Sequence, residues 1–148
     1  MSADAEAIQH IVPYPRSVTR IVADCVELMK PELTSLSVLT AICSFYLAHL
    51  GTWGVADFLL LINLAMGTTL VGGGAGALNQ YLERDYDGLM KRTEKRPLPS
   101  GRLLPGTVLA LGIFLSSVGL LELTFFVNTL TGFLGVVTLT TYLFLYTP

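Results

Sequence analysis

Apolar residues run along this chain in four long blocks, at about 33–51, 58–78, 105–123 and 127–146. Gly51, Gly54 and Asp57 mark a turn after the first block, and Glu122 and Asn128 bracket a turn after the third. Each block is long enough, as a helix, to cross a bilayer core of about 30 Å. Pro31 and Pro105 precede the first and open the third, where the first turn of a helix tolerates proline. Ahead of them, Ile21, Val22, Cys25, Val26 and Met29 recur at helical spacing, while Asp24 and Glu27 fall elsewhere. That pattern predicts a short helix over residues 16–30, lying along the membrane surface. Residues 1–15, polar and broken by Pro13 and Pro15, read as a cytoplasmic tail. The expected fold is all-α: a polytopic transmembrane helix bundle, with residues 16–148 as one membrane domain.

Composition agrees with this. Of the 148 residues, 52% are apolar and only 14% charged, which excludes an ordinary soluble domain. The net charge of -2 says little, because the distribution carries the signal. Six of the nine basic residues lie between Asn79 and Arg102; none occurs between Lys30 and Arg84, or after Arg102. The turns near Trp53 and Glu122 have no Lys or Arg. The positive-inside rule then places the amino end and the 79–102 loop in the cytoplasm. The first residues are not Arg-rich and acid-poor like a transit peptide, which favours a bacterial inner membrane. Nucleic acid is excluded as a partner: the bases sit among acids and the rest is apolar.

The stretch NQYLERDYDGLMKRTEKRPLPSGR, residues 79–102, holds the candidate chemistry. Asn79, Glu83 and Asp87 are spaced i, i+4, i+8, so a helix puts all three on one face. All offer oxygen, the donor that Mg²⁺ prefers, and Mg²⁺ is usually held by one or two carboxylates together with substrate phosphates. Arg92, Lys95 and Arg96 follow, with Lys91 and Arg102 near them. Arginine meets phosphate oxygens with two prongs and lysine as a point charge. Acids followed by bases therefore suit Mg²⁺ with a diphosphate: Asn79, Glu83 and Asp87 as catalytic metal ligands, and Arg92, Lys95, Arg96 and Arg102 on the phosphates. Pro97 and Pro99 stop the helix and set a turn. A plain charged loop that only sets orientation is the bland alternative. The ordered pattern on one helical face argues against it.

Other features add less. Gly72-Gly73-Gly74-Ala75-Gly76-Ala77 has no Gly-Lys-Ser/Thr after it, so it is no nucleotide loop. It reads first as helix packing and second as room for substrate. Asn63 reads as an interhelix hydrogen bond. Cys25 and Cys43 form no close pair and suggest no zinc or redox site. His49, near a helix end, reads as a packing or interfacial residue.

Asn79-xxx-Glu83-xxx-Asp87 followed by Arg96-Pro-Leu-Pro-Ser-Gly101 resembles the first acidic motif of the UbiA-type intramembrane prenyltransferases. Glu83-Arg84-Asp85-x-Asp87-x-x-Met90-x-Arg92-Thr93 is similar to their protoheme IX farnesyltransferase (heme O synthase) branch, and Leu28-x-Lys30-Pro31-Glu32-Leu33 to the lead-in to that family's first helix. Quinone-type members more often carry Asp where Glu83 stands. The resemblance runs from about Val22 to the end. The family has a second half with a second acidic motif that this chain does not reach. The expectation is thus an amino-terminal half, inactive alone.

The resemblance implies that farnesyl diphosphate and heme b are the substrates, that Mg²⁺ is bound with the diphosphate, and that heme A synthase or oxidase assembly proteins are candidate partners. The farnesyl group would pass to a heme vinyl group, giving heme O for heme-copper oxidases. Three alternatives stay open. One is a family member with another aromatic acceptor, such as a quinone precursor. The others are a transporter half with a charged loop, and a membrane protein that only binds heme.

Overall fold

The computed structural model describes residues 17–147; the expected tail over residues 1–15 lies outside them. The described chain is all-α. Helix α1 is Val18–Leu28, α2 Pro31–Ala48, α3 Val55–Asp87, α4 Pro105–Glu122 and α5 Thr129–Thr141. Wider π-type turns extend α4 over Leu123–Val127 and α5 over Tyr142–Tyr146. Among the described residues, four helices are long and apolar enough to cross a membrane: α2, α3, and α4 and α5 with their extensions. The protein is an integral membrane protein.

The helix pairs follow from small residues. A Cβ on Gly74 would come within 2.6 Å of Ser116 N, and one on Gly119 within 2.9 Å of Gly67 O. Only glycine lets the two backbones come this close, and α3–α4 is the most extensive helix pair. A Cβ on Gly76 would lie 2.8 Å from Leu28 O, so α3 also seats the elbow between α1 and α2. In the run Gly72–Ala77, Gly73, Gly74 and Gly76 meet neighbours closely, as helix packing requires, while Gly72, Ala75 and Gly76 line a cavity.

The turn expected between Glu122 and Asn128 shrinks to Asn128 alone. The π-type turn carries helix through to Val127, and Asn128 Oδ1 then caps α5 by accepting from Thr131 N at 2.7 Å. Asn63 is half-buried and has no side-chain hydrogen bond among the described residues. His49 packs on Trp53 with ring centroids 4.7 Å apart, its Nδ1 lying 3.7 Å from Asp57 Oδ1.

Large apolar side chains on the spans face outward, including Leu36, Leu39, Phe114, Phe133 and Val137. Lipid is their natural solvent. Buried apolar packing concentrates at the charged end, where Leu28, Ala77, Leu98, Leu103 and Val108 form a cluster. That cluster joins the α1–α2 elbow, α3, α4 and the 88–104 loop into one platform.

Candidate functional site

The third helix does not stop where its apolar run stops. It continues to Asp87, so Asn79, Glu83 and Asp87 stand in a row on one helix. Asn79 and Asp87 are 1% and 3% exposed, far more buried than such groups are by default. Their surroundings explain this. Asn79 Oδ1 accepts from Lys30 Nζ, and Asn79 Nδ2 donates to Thr147 Oγ1 at 3.1 Å. Asp87 Oδ2 accepts from Arg96 Nη1 at 2.6 Å, and Glu83 Oε2 lies 3.7 Å from the same nitrogen. Two carboxylates thus converge on one positive atom. The chain beyond Asp87 folds back: Thr93 Oγ1 donates to Asp87 O at 2.8 Å, and Pro97 and Leu98 are buried. A turn closed by Gly101 N donating to Leu98 O, 3.1 Å, needs the positive φ of +69° that glycine supplies. This is how Arg96, nine residues after Asp87, returns to it.

A polar cavity of about 630 Å³ lies against this face. Lys30, Asn79, Gln80, Glu83, Arg92 and Arg96 line it, with Tyr142 and Tyr146 from the far end of the chain. Their stacked rings, centroids 5.5 Å apart, form one wall. An apolar cavity of about 400 Å³ runs along α2, α3 and α5, and shares Lys30, Leu33 and Tyr142 with the polar one. The Lys30 ammonium is pushed below its ordinary pKa, first by burial and then by Arg96; Glu83 and Asp87 pull the other way.

The expected site residues are not all in one place. Asn79, Glu83, Arg92 and Arg96 line the cavity, with Asp87 behind Arg96. Arg102 turns to α1 instead: its guanidinium pairs with Asp24 and with Glu27 Oε2 at 3.0 Å, and donates to Lys95 O at 2.7 Å. The Lys95 side chain is exposed on the loop. Asp85 is exposed and lies 3.5 Å from Arg84. Sequence reasoning missed Lys30, Gln80, Tyr142 and Tyr146. For Lys30 a signal existed: it is the sole cation between Arg20 and Arg84. For Gln80 there was none, since its partner Leu28 O is 52 residues away.

The donor set also tests whether Mg²⁺ fits. Among the described residues, no three His, Cys, Asp or Glu side chains gather into a ready-made metal cage. The face instead offers two convergent carboxylates and one amide oxygen. Mg²⁺ accepts such a set when phosphates and water complete its shell. Glu83 Oε2 and Asp87 Oδ2 lie 3.7 and 2.6 Å from one cation already, the Arg96 guanidinium.

Comparison with known proteins identifies the family. Named protoheme IX farnesyltransferases match the chain: that of Solibacter usitatus (strain Ellin6076) is 45% identical, the match covering 84% of this chain and 45% of the relative. That of Myxococcus xanthus (strain DK1622) is 42% identical over 89% of this chain and 44% of the relative. That of Opitutus terrae is 40% identical over 85% and 41%. The chain spans less than half the length of these curated relatives. No solved structure matches it. The profile of the UbiA prenyltransferase family matches residues 37–148, three of the four spans and the acidic face included, and the chain belongs to that family.

Proposed function

We propose that this chain forms the first acidic face of an intramembrane prenyltransferase, one that moves a farnesyl group from farnesyl diphosphate to a vinyl group of heme b and so makes heme O for heme-copper oxidases. One observation carries the reading. Glu83 and Asp87 converge on Arg96 at the wall of a polar cavity, and that cavity shares Lys30, Leu33 and Tyr142 with an apolar one. A lipid diphosphate has this polarity: a charged head beside a long apolar tail. The names of the relatives support the heme acceptor.

Asn79, Glu83 and Asp87 would hold Mg²⁺. When bound with the diphosphate, Mg²⁺ neutralises part of its charge and makes it a better leaving group. Arg92 and Arg96 take phosphate oxygens, and Arg102 anchors the loop that carries them. The C–O bond of farnesyl diphosphate breaks and its electron pair leaves with the diphosphate. The heme vinyl group attacks the allylic cation, forming a carbon–carbon bond. Water then adds to the resulting cation and loses a proton, leaving a hydroxyethylfarnesyl group. Fixed cations stabilise the departing charge, and the apolar walls keep bulk water from the farnesyl cation. We also infer that the amino end and the 79–102 loop face the cytoplasm of a bacterial inner membrane, where the Lys and Arg residues gather.

The test is a chimera in which this chain replaces the matching segment of the Solibacter usitatus relative, supplied with labelled farnesyl diphosphate and heme b. Heme O should form with Mg²⁺ and stop on chelation. Asp87→Asn and Glu83→Gln should each lower turnover by at least about 10²-fold while the protein still inserts. Unchanged turnover in either variant would sink the acidic-face assignment. Transfer to a quinone precursor in place of heme would overturn the acceptor.

A further inference from the structure

Lys30 stands at the elbow between α1 and α2 with φ +47° and ψ +63°, the left-handed region that non-glycine residues seldom occupy. Three contacts hold it there. Gln80 Nε2 donates to Leu28 O at 3.3 Å, Thr34 Oγ1 donates to Met29 O at 2.8 Å, and Met29 packs on Gly73, where a Cβ would meet it. Pro31 follows at once and opens α2. Backbone held in a sparse conformation needs neighbours that over-determine it, and it recurs at working sites. Here the result is one amine placed on Asn79 Oδ1, at the border of the two cavities. A tail in the apolar cavity and a diphosphate in the polar one put the bond between them beside Lys30.

We propose that Lys30 is an exchangeable counter-cation: it sits on Asn79 while no metal is bound, and moves to the diphosphate when metal and diphosphate bind together. This rests on reading the acidic face as a metal–diphosphate site. Lysine suits the exchange, because its compact ammonium rides on a flexible four-carbon stem and donates in three directions. Asn79 Oδ1 cannot serve a metal well with an ammonium on it, since like charges at contact repel. On the phosphate the same ammonium attracts. Lys30 therefore opposes metal alone and favours metal with diphosphate. A merely structural lysine would weaken both when lost.

That difference in sign is the test. The probes are Mn²⁺ alone, an oxygen-preferring stand-in followed by EPR, and inorganic diphosphate with Mn²⁺ followed by calorimetry, on the whole chain in detergent. Lys30→Met should bind Mn²⁺ alone about threefold tighter, and Mn²⁺-diphosphate about tenfold weaker. Lys30→Arg keeps the charge and should keep the wild-type pattern. Lys30→Gln should repeat the split if methionine unsettles the elbow. Losses of both affinities together, or no change in either, overturn the proposal. If neither wild type nor Lys30→Met takes up Mn²⁺, the metal reading of the acidic face falls first, and the proposal with it.

Discussion

Arg96 is the residue on which the acidic face depends. Its Nη1 neutralises Asp87, whose side chain is 5% exposed, and its own side chain is 24% exposed. Removing one partner of such a pair leaves a desolvated charge, which costs about 3 kcal/mol or more. Arg96→Leu should therefore lower stability by that order, and adding Asp87→Asn should recover most of it; a double variant no better than the single would show that the pair is not coupled. Arg102 is a milder case. It binds Asp24, which is 6% exposed, but the Arg102 side chain is itself 36% exposed to water. Arg102→Ala should cost about 1–3 kcal/mol, read as a lower melting temperature in detergent. The two arginines differ in how visible their partners were. Asn79, Glu83 and Asp87 share a face because helical spacing demands it, and that is legible in nine letters of sequence. Arg102 reads equally well as a phosphate ligand until Asp24, 78 residues earlier, is seen against it.

Among the elements, α3 and α4 define the bundle. Their glycines were legible as packing residues, but which neighbour each one meets was not, because that depends on the rotation of two long helices. Gly74→Ala would push a methyl group into Ser116 N and Gly112 O, at 2.6 and 2.9 Å. Backbone cannot yield as a side-chain tip can, so this overpacking should cost about 1–3 kcal/mol. Gly106→Ala, on the same helix as Gly112, meets nothing and should be neutral or slightly stabilising. Equal melting temperatures for the two variants would refute the close α3–α4 approach. The π-type turn at Leu123–Val127 was invisible beforehand, since Glu122 looks like a loop residue and nothing in the apolar run announces the wider ring.

For the whole molecule, the all-α bundle and its four spans were legible, because lipid leaves a chain of this hydropathy few other options. The orientation is a matter of charge, and it can be measured. With Cys25 and Cys43 replaced by Ser, a lone cysteine at Ser100 in cells should react with maleimide only when the reagent crosses the membrane. One at Thr52 should react with an impermeant reagent. The reverse pattern would invert the topology.

The Arg102 clamp bears on how the protein is made. A chain emerges from the ribosome amino end first, so α1 is present long before the residue that secures it. Asp24 and Glu27 must wait for Arg102, which lies 78 and 75 residues further on. In the interval Asp24 and Glu27 lack the Arg102 guanidinium, and Cys25, which packs against the Leu28–Leu98 cluster in the finished fold, lacks its cover from the 88–104 loop. Cys25 is thus a built-in clock for biogenesis. With Cys43 replaced by Ser, nascent chains arrested before Arg102 has left the ribosome should react with a water-soluble thiol reagent at Cys25. Chains arrested later should be protected.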